Sequence, residues 1–360
     1  MRGEITVGGG QEKRIVLVLG MGRSGTSTIT AGIGAIGVHL HGDYLEADAF
    51  INRRGFYEDK AFLDLDKRAQ RLMGTLPWTG IAHSAPGGVD HAGIAALKAD
   101  AEQLLRHRVG ERRCWGFKAG NIALLPLWQE IISGCGWTDS YVLAVRNPAS
   151  VAASTARWGG LDRRVTTDPR VVYSVWLQYY ASCLRRIWQR PTAVLDYDLL
   201  MADPVAQLRR AAEAIQLSWN PCAQSGAQQY ATEFLSPDLR HYRHSTADLQ
   251  NDPRAPKLVG EAWRWFSRLA RDEIRLDDPD FRAAWRELEN AVEGLAPVFN
   301  LVQERTRRSG AEIFFGAWRY RCKIMLRALN GDWVAGRQLV AFFKRAGRPD
   351  GSFARWLLGR

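Results

Sequence analysis

The chain has 360 residues, 46% of them hydrophobic and 24% charged, with five cysteines and a net charge of +11. This composition excludes a disordered or fibrous protein. The chain also lacks the roughly 18 to 20 consecutive apolar residues of a membrane-spanning helix and the pattern of a signal peptide, so we expect a cytoplasmic protein. The scattered cysteines argue against a metal site or disulfides, and the absence of a DNA-reading helix or zinc-finger spacing argues against nucleic-acid binding.

Apolar runs and helical periodicities alternate along the chain. Buried strands are predicted for four short apolar segments, 14–19, 114–118, 141–146 and 192–196. Helices are predicted at 26–37, 60–73, 93–108, 124–133, 148–158, 169–188 and 204–216. This alternation predicts an α/β fold with an open, mostly parallel sheet flanked by helices. Residues 219–260, which are poor in periodicity and rich in Pro, His and Asp, are predicted to form loops on the substrate side.

Three regions are predicted along the chain. Residues 1–13 form a flexible N-terminus, 14–300 one folded domain, and 301–360 a basic, amphipathic helical extension. In the extension, Arg and Lys alternate with Phe, Trp and Leu. Such helices either lie on an anionic membrane surface or pack on the core with their cations in solvent, and both alternatives remain open.

A glycine-rich loop follows the first predicted strand, in the stretch VLGMGRSGTSTIT. Gly20, Gly22 and Gly25 let the backbone approach an anion, and N–H groups of the turn and of the next helix would point at it. The spacing of Gly20 and Gly25 is that of a nucleotide-binding P-loop, but Thr26 stands where ATP and GTP enzymes have Lys. Arg23 supplies a cation inside the loop, so the predicted ligand is an anion other than a Mg-bound triphosphate.

A second candidate anion site lies in the stretch YVLAVRNPASVAAS. Arg146 ends a predicted strand, and Ser150 and Ser154 fall four residues apart on one face of the next helix. An Arg at a strand end and a hydroxyl on the following helix can grip one phosphate together. The same pattern arises when the arginine only forms an ion pair and the two serines bind no ligand. By itself this stretch therefore does not indicate an anion site, but together with the first loop it does.

Together the two stretches resemble the P-loop sulfotransferases that use 3′-phosphoadenosine-5′-phosphosulfate (PAPS), most closely bacterial members with an Arg-Ser-Gly-Thr loop. The resemblance covers roughly residues 14–300 and includes DYDLLMADP, similar to the family's Tyr-Glu-Asp-Leu-Leu stretch, and FLSPDLRHYRH. It implies a P-loop sulfotransferase-like fold, PAPS as co-substrate and no metal. Transfer from PAPS needs no Mg-bound triphosphate, which accounts for the missing lysine.

The resemblance also implies which residues hold the donor. The 5′-phosphosulfate would be bound by Gly22, Arg23, Ser24, Gly25, Thr26 and Ser27. The 3′-phosphate would be bound by Arg146 and Ser154, with Ser150 only ordering the helix start. Tyr197 is a candidate for positioning the nucleotide. Closure over the donor, or contact with an acidic acceptor, would involve Arg240, His241 and Arg243.

In the implied reaction an acceptor hydroxyl or amine attacks sulfur in line and adenosine 3′,5′-bisphosphate leaves. Arg23 first, and Lys118 second, are candidates to stabilise the charge on the leaving phosphate. Lys118 matches the Lys of the family's Lys-Asp-Pro-Arg stretch, but Ala-Gly-Asn follows it, which leaves acceptor contacts there open. Glu58, in NRRGFYED, matches the Glu of the family's Asn-x-x-Gly-Phe-x-Glu pattern and is the candidate base. The alternative bases are His39, His41 and Asp59.

The sequence thus predicts a PAPS-dependent sulfotransferase acting on a carbohydrate hydroxyl, with a glycan or glycolipid as acceptor. The basic extension offers a route to peripheral contact with the inner membrane. Two alternatives remain open. One is another P-loop transferase such as a small-molecule kinase, and the other is a catalytically silent nucleotide-binding protein.

Overall fold

The structure, a computed structural model, describes residues 13–40, 42–48, 50, 52–73, 90–161, 167–236, 240–298, 320, 323–328 and 330–338. Residues 1–12 of the predicted flexible N-terminus and most of the predicted extension lie outside these residues. The division of the chain into three regions therefore stays a prediction.

Four parallel strands form one open sheet, which confirms the predicted α/β fold. They are β1 (Arg14–Leu19), β2 (Cys114–Lys118), β3 (Thr138–Val145) and β4 (Thr192–Asp196), in the order β2-β1-β3-β4. Three of them have the predicted bounds. The third strand begins three residues before its predicted start, because its polar residues 138–140 pair with the backbone of residues 14–16. It ends at Val145, so Arg146 directly follows the strand.

The helices predicted from periodicity are present within a few residues of the expected bounds. They are α1 (Thr26–Ala35), α2 (Lys60–Met73), α3 (His91–Val109), α4 (Leu125–Gly134), α5 (Pro148–Leu161), α6 (Pro169–Ile187) and α8 (Pro204–Ala214). One further helix, α7 (Tyr197–Ala202), was not predicted. Helix α7 follows β4 without a loop. Asp196 caps it by accepting hydrogen bonds from the N–H groups of Asp198 (2.6 Å) and Leu199 (3.4 Å).

Residues 219–260 form the predicted loops only in part: 240–245 and 251–256 lie outside helices and strands, whereas most of the rest is helical. This part contains α9 (Pro221–Gln229), a π-helical turn (Tyr230–Phe234), α10 (Thr246–Gln250) and the start of α11 (Lys257–Leu269), and α12 (Pro279–Gly294) follows it. Local capping explains two of these helices. The Asn220 side chain accepts a bond from the Ala223 N–H (2.9 Å), and Ser245 and Asp248 form a capping box. Helix α11 buries residues at helical spacing, a signal present in the sequence: Val259, Ala262, Trp263, Phe266 and Leu269.

Helices cover both faces of the sheet. On one face Ile15 and Leu17 of β1 belong to a core built with α2 to α6, α11 and α12. On the other face Val16 and Val18 pack with residues of α1, α7, α8 and α9. A strand that is buried on both faces needs apolar residues at successive positions, which explains the uninterrupted run IVLVL in β1.

The strand order brings the two predicted anion sites together. From β1 the chain forms β2 on one side of β1 and later β3 on the other side. At such a reversal the carboxyl ends of the parallel strands open into a crevice, where ligands of open α/β sheets usually bind. The glycine loop after β1, Arg146 after β3 and Lys118 at the end of β2 therefore share one edge of the sheet.

The described part of the C-terminal region packs on the connection between α1 and α2. It consists of Tyr320 and two helical stretches, 323–328 and 333–338, which form a small apolar cluster with Ala47 and Phe50. Arg53 of the connection pairs with Asp332 at 2.6 Å. Within the described ranges, every helix is too short or too polar to cross a membrane.

Candidate active site

The glycine loop between β1 and α1 rests on two buried tyrosines of α6. The Gly20 N–H donates to the Tyr179 hydroxyl (2.9 Å), and the Tyr180 hydroxyl lies 3.1 Å from Ser24 Oγ. Ser24 is completely buried, so its hydroxyl supports the loop from the core side. The buried hydroxyls hold the loop in one shape before any ligand binds.

The first turn of α1 has the properties of an anion site. Gly25 is the N-cap residue and brings no side-chain acceptor to the N–H groups of this turn. Uncapped N–H groups and the helix dipole favour an anion such as phosphate or sulfate at this end. Thr26 is buried, and Ser27 Oγ donates to the Phe56 carbonyl (3.1 Å). The backbone N–H groups of the turn are therefore its available donors to a ligand.

Gly25 also determines how closely Tyr197 approaches the loop. Its φ of 83° lies in the left-handed region, and a Cβ atom there would lie 2.1 Å from Tyr197 Cδ2. Gly25→Ala is expected to displace the tyrosine or the helix start and to weaken the binding of adenosine 3′,5′-bisphosphate about tenfold or more, as measured by calorimetry. Gly37→Ala is the matched control, because Gly37 also has a positive φ (107°) but no atom within 4 Å of its added Cβ. Equal affinities for both variants would show that this turn does not contact the anion.

Arg146 is a buried cation at the carboxyl end of β3. It is 5% exposed, and it donates to the backbone carbonyls of Arg23 (3.4 Å) and Tyr242 (2.6 Å). Its guanidinium lies over the Tyr197 ring, 4.6 Å from the centroid. Burial lowers the pKa of Arg146 below its usual range, and the nearby Asp198 opposes this shift. Its Nε is buried without a hydrogen-bond partner among the described residues, so the side chain retains a donor for an anion.

Arg23 links the two sites. It belongs to the glycine loop, yet its Nε donates to Ser154 Oγ on α5 (3.0 Å). Its backbone has a φ of 73°, which is strained for a residue other than glycine. Burial, and after it the charge of Arg146, lowers the pKa of Arg23 to about 10, so the side chain remains charged at neutral pH. The neighbouring guanidinium groups of partly buried Arg23 and buried Arg146 repel each other and favour a ligand with several negative charges.

Ser150 holds a neighbouring connection instead of facing the crevice. Its Oγ accepts a bond from the His244 N–H (3.0 Å) and lies 3.2 Å from His244 Nδ1. One turn earlier, the Asn147 side chain donates to the Ser245 carbonyl (3.0 Å). These bonds fasten residues 240–245 to the start of α5.

Tyr197 and Arg240 lie beside Arg146 and support the residues around it. Tyr197 is 3% exposed and lies between Gly25 and Arg146, so it positions both of them. Arg240 pairs with Asp198 on α7, with 2.5 Å between Nε and Oδ1. This pair fixes the start of the 240–245 connection next to Arg146. His241 and Arg243 of the same connection are exposed.

Lys118 brings a cation to the first turn of α1 from the neighbouring strand. Its Nζ lies 3.4 Å from Ser27 Oγ, 3.3 Å from the Phe56 carbonyl and 2.7 Å from Glu58 Oε1. The side chains of Lys118 and Glu58 are 9% and 17% exposed. The structure therefore pairs the candidate base with a candidate cation. The pair lies beside the start of α1, where Thr26 stands at the position of the usual P-loop lysine.

Of the two histidines proposed as alternative bases, only His39 belongs to the described residues. The backbone of His39 forms an isolated β-bridge with Trp115. Trp115 lies three residues before Lys118, which corresponds to roughly 10 Å along β2. His41 lies outside the described residues.

Asp59, the alternative carboxylate, has structural contacts. Its Oδ1 accepts a bond from the Ala61 N–H (2.8 Å) at the start of α2. Its Oδ2 lies 3.0 Å from Nη2 of Arg108. Glu58, in contrast, lies beside Lys118 at the glycine loop, and this position keeps it as the candidate base.

Three residues that shape the site were not predicted as functional. Tyr179 and Tyr180 lie 159 and 156 residues from their partners in the loop, so no local pattern reveals this support. Asp198, the partner of Arg240, lies in DYDLLMADP. Its resemblance to the family's acidic stretch was the available signal.

Asp66 is a buried carboxyl group on α2. Burial, the largest cause, raises its pKa to about 7, and the charge of Glu58 adds to the rise, whereas a hydrogen bond from Trp128 Nε1 (3.2 Å) opposes it. Because the folded-state pKa lies above the unfolded value, the neutral form stabilises the fold. This contribution is complete below about pH 4 and is lost as the pH rises through about 7.

Asp66→Asn is therefore expected to raise the free energy of unfolding by up to about 4 kcal/mol near pH 8 and to change it little near pH 4. Urea unfolding at the two pH values measures this difference. Asp64→Asn, on the same helix but with a side chain 73% exposed, is the control and should behave alike at both. An equal gain for Asp66→Asn at both pH values would contradict the raised pKa.

No protein-family model and no curated protein matches this chain. Among solved structures, the sulfotransferase domain from the Synechococcus PCC 7002 olefin synthase is similar to it, with a TM-score of 0.36 and 16% sequence identity. The similarity covers 78% of this chain and 94% of that domain. A likeness this distant does not transfer a function to the chain.

Proposed function

We propose that this protein transfers the sulfuryl group of PAPS to an acceptor hydroxyl and releases adenosine 3′,5′-bisphosphate. One observation carries the proposal: Arg23 extends from the glycine loop to Ser154, beside Arg146, and so connects two anion sites. PAPS has a 5′-phosphosulfate at one position and a 3′-phosphate at another, which suits two connected sites. Thr26 at the usual lysine position argues against a Mg-bound triphosphate.

Donor binding is assigned to both sites. The N–H groups of Gly22 to Ser27 would hold the 5′-phosphosulfate at the start of α1. Arg146 and Ser154 would hold the 3′-phosphate, with Arg23 between the two groups. Tyr197 would keep the loop and Arg146 at their mutual distance. Arg240 would hold the adjacent connection through Asp198.

Catalysis is assigned to Lys118 and Glu58. The acceptor oxygen bonds to sulfur while the bond from sulfur to the 5′-phosphate oxygen breaks, and negative charge moves to that phosphate. Lys118, beside the first turn of α1, would stabilise this charge. Glu58 would accept the proton of the hydroxyl. Because the two side chains pair at 2.7 Å, a phosphosulfate that draws Lys118 towards itself would release the Glu58 carboxylate for this step.

The acceptor is assigned to a carbohydrate hydroxyl of a glycan or glycolipid. A sugar hydroxyl is a weak nucleophile and needs a general base at the transferred group, a role that Glu58 fits. Incubation with sulfur-labelled PAPS and a panel of oligosaccharides, phenols and amines tests the assignment. Label on sugar hydroxyls is the expected result. Label only on phenols or amines would contradict it.

The proposed donor is tested by the thermal stability of the full chain with adenosine 3′,5′-bisphosphate, adenosine 5′-monophosphate or Mg-ATP. A ligand that binds only the folded state raises the melting temperature. At a ligand concentration of one hundred times its Kd, the free energy of unfolding increases by about 2.7 kcal/mol. The bisphosphate is expected to raise it clearly more than the monophosphate does. A rise with Mg-ATP alone would favour a kinase. Bisphosphate binding without turnover on any acceptor would favour a silent nucleotide-binding protein.

A further inference from the structure

The described part of the C-terminal region has an inner and an outer face. Tyr320, Ile324 and Val334 are buried on the inner face. On the outer face three large apolar side chains are unusually exposed, with Met325 at 45%, Leu326 at 61% and Trp333 at 65%. Large exposed apolar groups concentrated in so short a part of the chain mark a surface that another molecule covers.

Cations accompany these apolar groups. Lys323, Arg327 and Arg337 lie on the same two helical stretches, and Arg337 lies 5.7 Å from the centre of the Trp333 ring. The acidic residue of this part, Asp332, pairs with Arg53 (2.6 Å) and Arg327 (3.4 Å). Residues 305–360 contain thirteen Lys and Arg but three Asp and Glu, which amounts to +10 of the chain's net +11. The positive charge of the protein is therefore concentrated in this region.

Hydrogen bonds to Asp48 hold the inner face against the connection between α1 and α2, so the outer face is turned to solvent. Asp48 is buried, and its carboxylate accepts hydrogen bonds from the Tyr320 hydroxyl and from Gln338 Nε2 (2.7 Å). The same carboxylate accepts a bond from the Phe50 N–H (2.9 Å). Asp48 lies near Arg23 and precedes Glu58 in the same connection. The C-terminal region is thus attached to the connection that carries the candidate base.

We propose that this outer face binds the surface of an anionic lipid bilayer. A bilayer surface is the partner that satisfies both properties at once, since it accepts apolar side chains among the acyl chains and attracts Lys and Arg to its headgroups. Tryptophan in particular favours the boundary between headgroups and hydrocarbon. A nucleic acid or an acidic polysaccharide would neutralise the cations but leave Leu326 and Met325 in water. Binding at the surface requires no membrane-spanning helix.

This inference stands on the exposed surface and does not depend on the proposed sulfuryl transfer. If both are correct, the bilayer holds the connection carrying Glu58 close to acceptors that are themselves lipid-bound. The class of acceptor would then be a glycan presented on a lipid.

The test is co-sedimentation of the full chain with vesicles of phosphatidylcholine alone or of equal parts phosphatidylcholine and phosphatidylglycerol. Binding to the anionic vesicles is expected, with loss at high salt. The double variant Leu326→Ser with Trp333→Ser is expected to bind them at least about tenfold more weakly. Val298→Ser is the matched control, since Val298 is 55% exposed but lies outside this region, and it should bind like the unchanged protein.

Three results would overturn the proposal: equal binding to both vesicle types, undiminished binding by the double variant, or no binding to vesicles alongside retention on an oligonucleotide or heparin. Melting temperatures establish that the variants are folded. If the double variant is not, Lys323→Gln with Arg337→Gln replaces it. That variant keeps the apolar groups and should bind anionic vesicles severalfold more weakly, and undiminished binding would equally overturn the proposal.

Discussion

Arg146→Gln is expected to weaken the binding of adenosine 3′,5′-bisphosphate by about a hundredfold or more. Truncating one partner of a buried, hydrogen-bonded charge pair typically costs roughly 2 to 5 kcal/mol. Arg146 is 5% exposed and stacks on Tyr197, so bulk water has little access to the space that it occupies. Calorimetric titration with the bisphosphate measures the loss. The affinity for adenosine 5′-monophosphate, which has no 3′-phosphate, should change little.

The comparison of the two nucleotides separates a lost contact from a damaged fold. Arg190→Gln is the matched control, because Arg190 also pairs within the sheet region, with Asp139, but precedes β4 at the opposite edge. It should bind both nucleotides like the unchanged protein. If Arg146→Gln retains the full affinity for the bisphosphate, the assignment of the 3′-phosphate site is wrong. An equal loss for both nucleotides would mean that Arg146 only shapes the loop.

Lys118→Met is expected to lower the rate of transfer from PAPS by a factor of about 100 to 1,000, the usual cost of removing one preorganised group that stabilises developing charge. Donor affinity should fall much less, because the backbone of the glycine loop and Arg146 still bind the nucleotide. The rate is measured as release of adenosine 3′,5′-bisphosphate in the presence of an acceptor, and the affinity by calorimetry. Methionine keeps most of the length of the side chain and removes its charge.

Two further variants, a control and a double variant, help to explain the effect of Lys118→Met. Lys13→Met is the control, because Lys13 donates to the Gly110 carbonyl (2.5 Å) next to the start of β1, at the other edge of the sheet. Glu58→Gln combined with Lys118→Met should be less impaired than the product of the two single effects, since both act on one transferred group and contact each other. An unchanged rate for Lys118→Met would mean that Arg23, and not Lys118, stabilises the charge on the leaving phosphate.

Local patterns predicted most elements of the fold. Strands β1, β2 and β4 lie where the apolar runs predict them, and the capped helices begin close to their expected starts. Residues 219–260 were predicted as loops from their composition, yet the cap at Asn220 and the capping box at Ser245 mark helices there, and the spacing of buried residues marks α11, which begins at Lys257. Spacing and capping were the better guides, because they reflect which side chains are buried and which N–H groups are satisfied.

The site was predictable only in part. Strand, glycine loop and helix around Arg23 follow one another in the chain, so their own residues are sufficient to predict an anion site. The contact between Arg23 and Ser154 spans 131 residues, and that between Lys118 and Ser27 spans 91. Such contacts depend on the strand order β2-β1-β3-β4, which hydrophobic patterns do not encode, because each buried strand could pair with any other.

The sequence alone therefore determines the candidate anion-binding turn, the missing loop lysine and the concentration of charge near the C-terminus. These properties depend on neighbouring residues or on composition. Tertiary structure decides that Lys118 supplies a cation to this turn, that Glu58 pairs with it and that Asp48 anchors Tyr320, 272 residues away. Each of these contacts joins segments that are distant in the chain, and packing of the sheet and its helices brings them together.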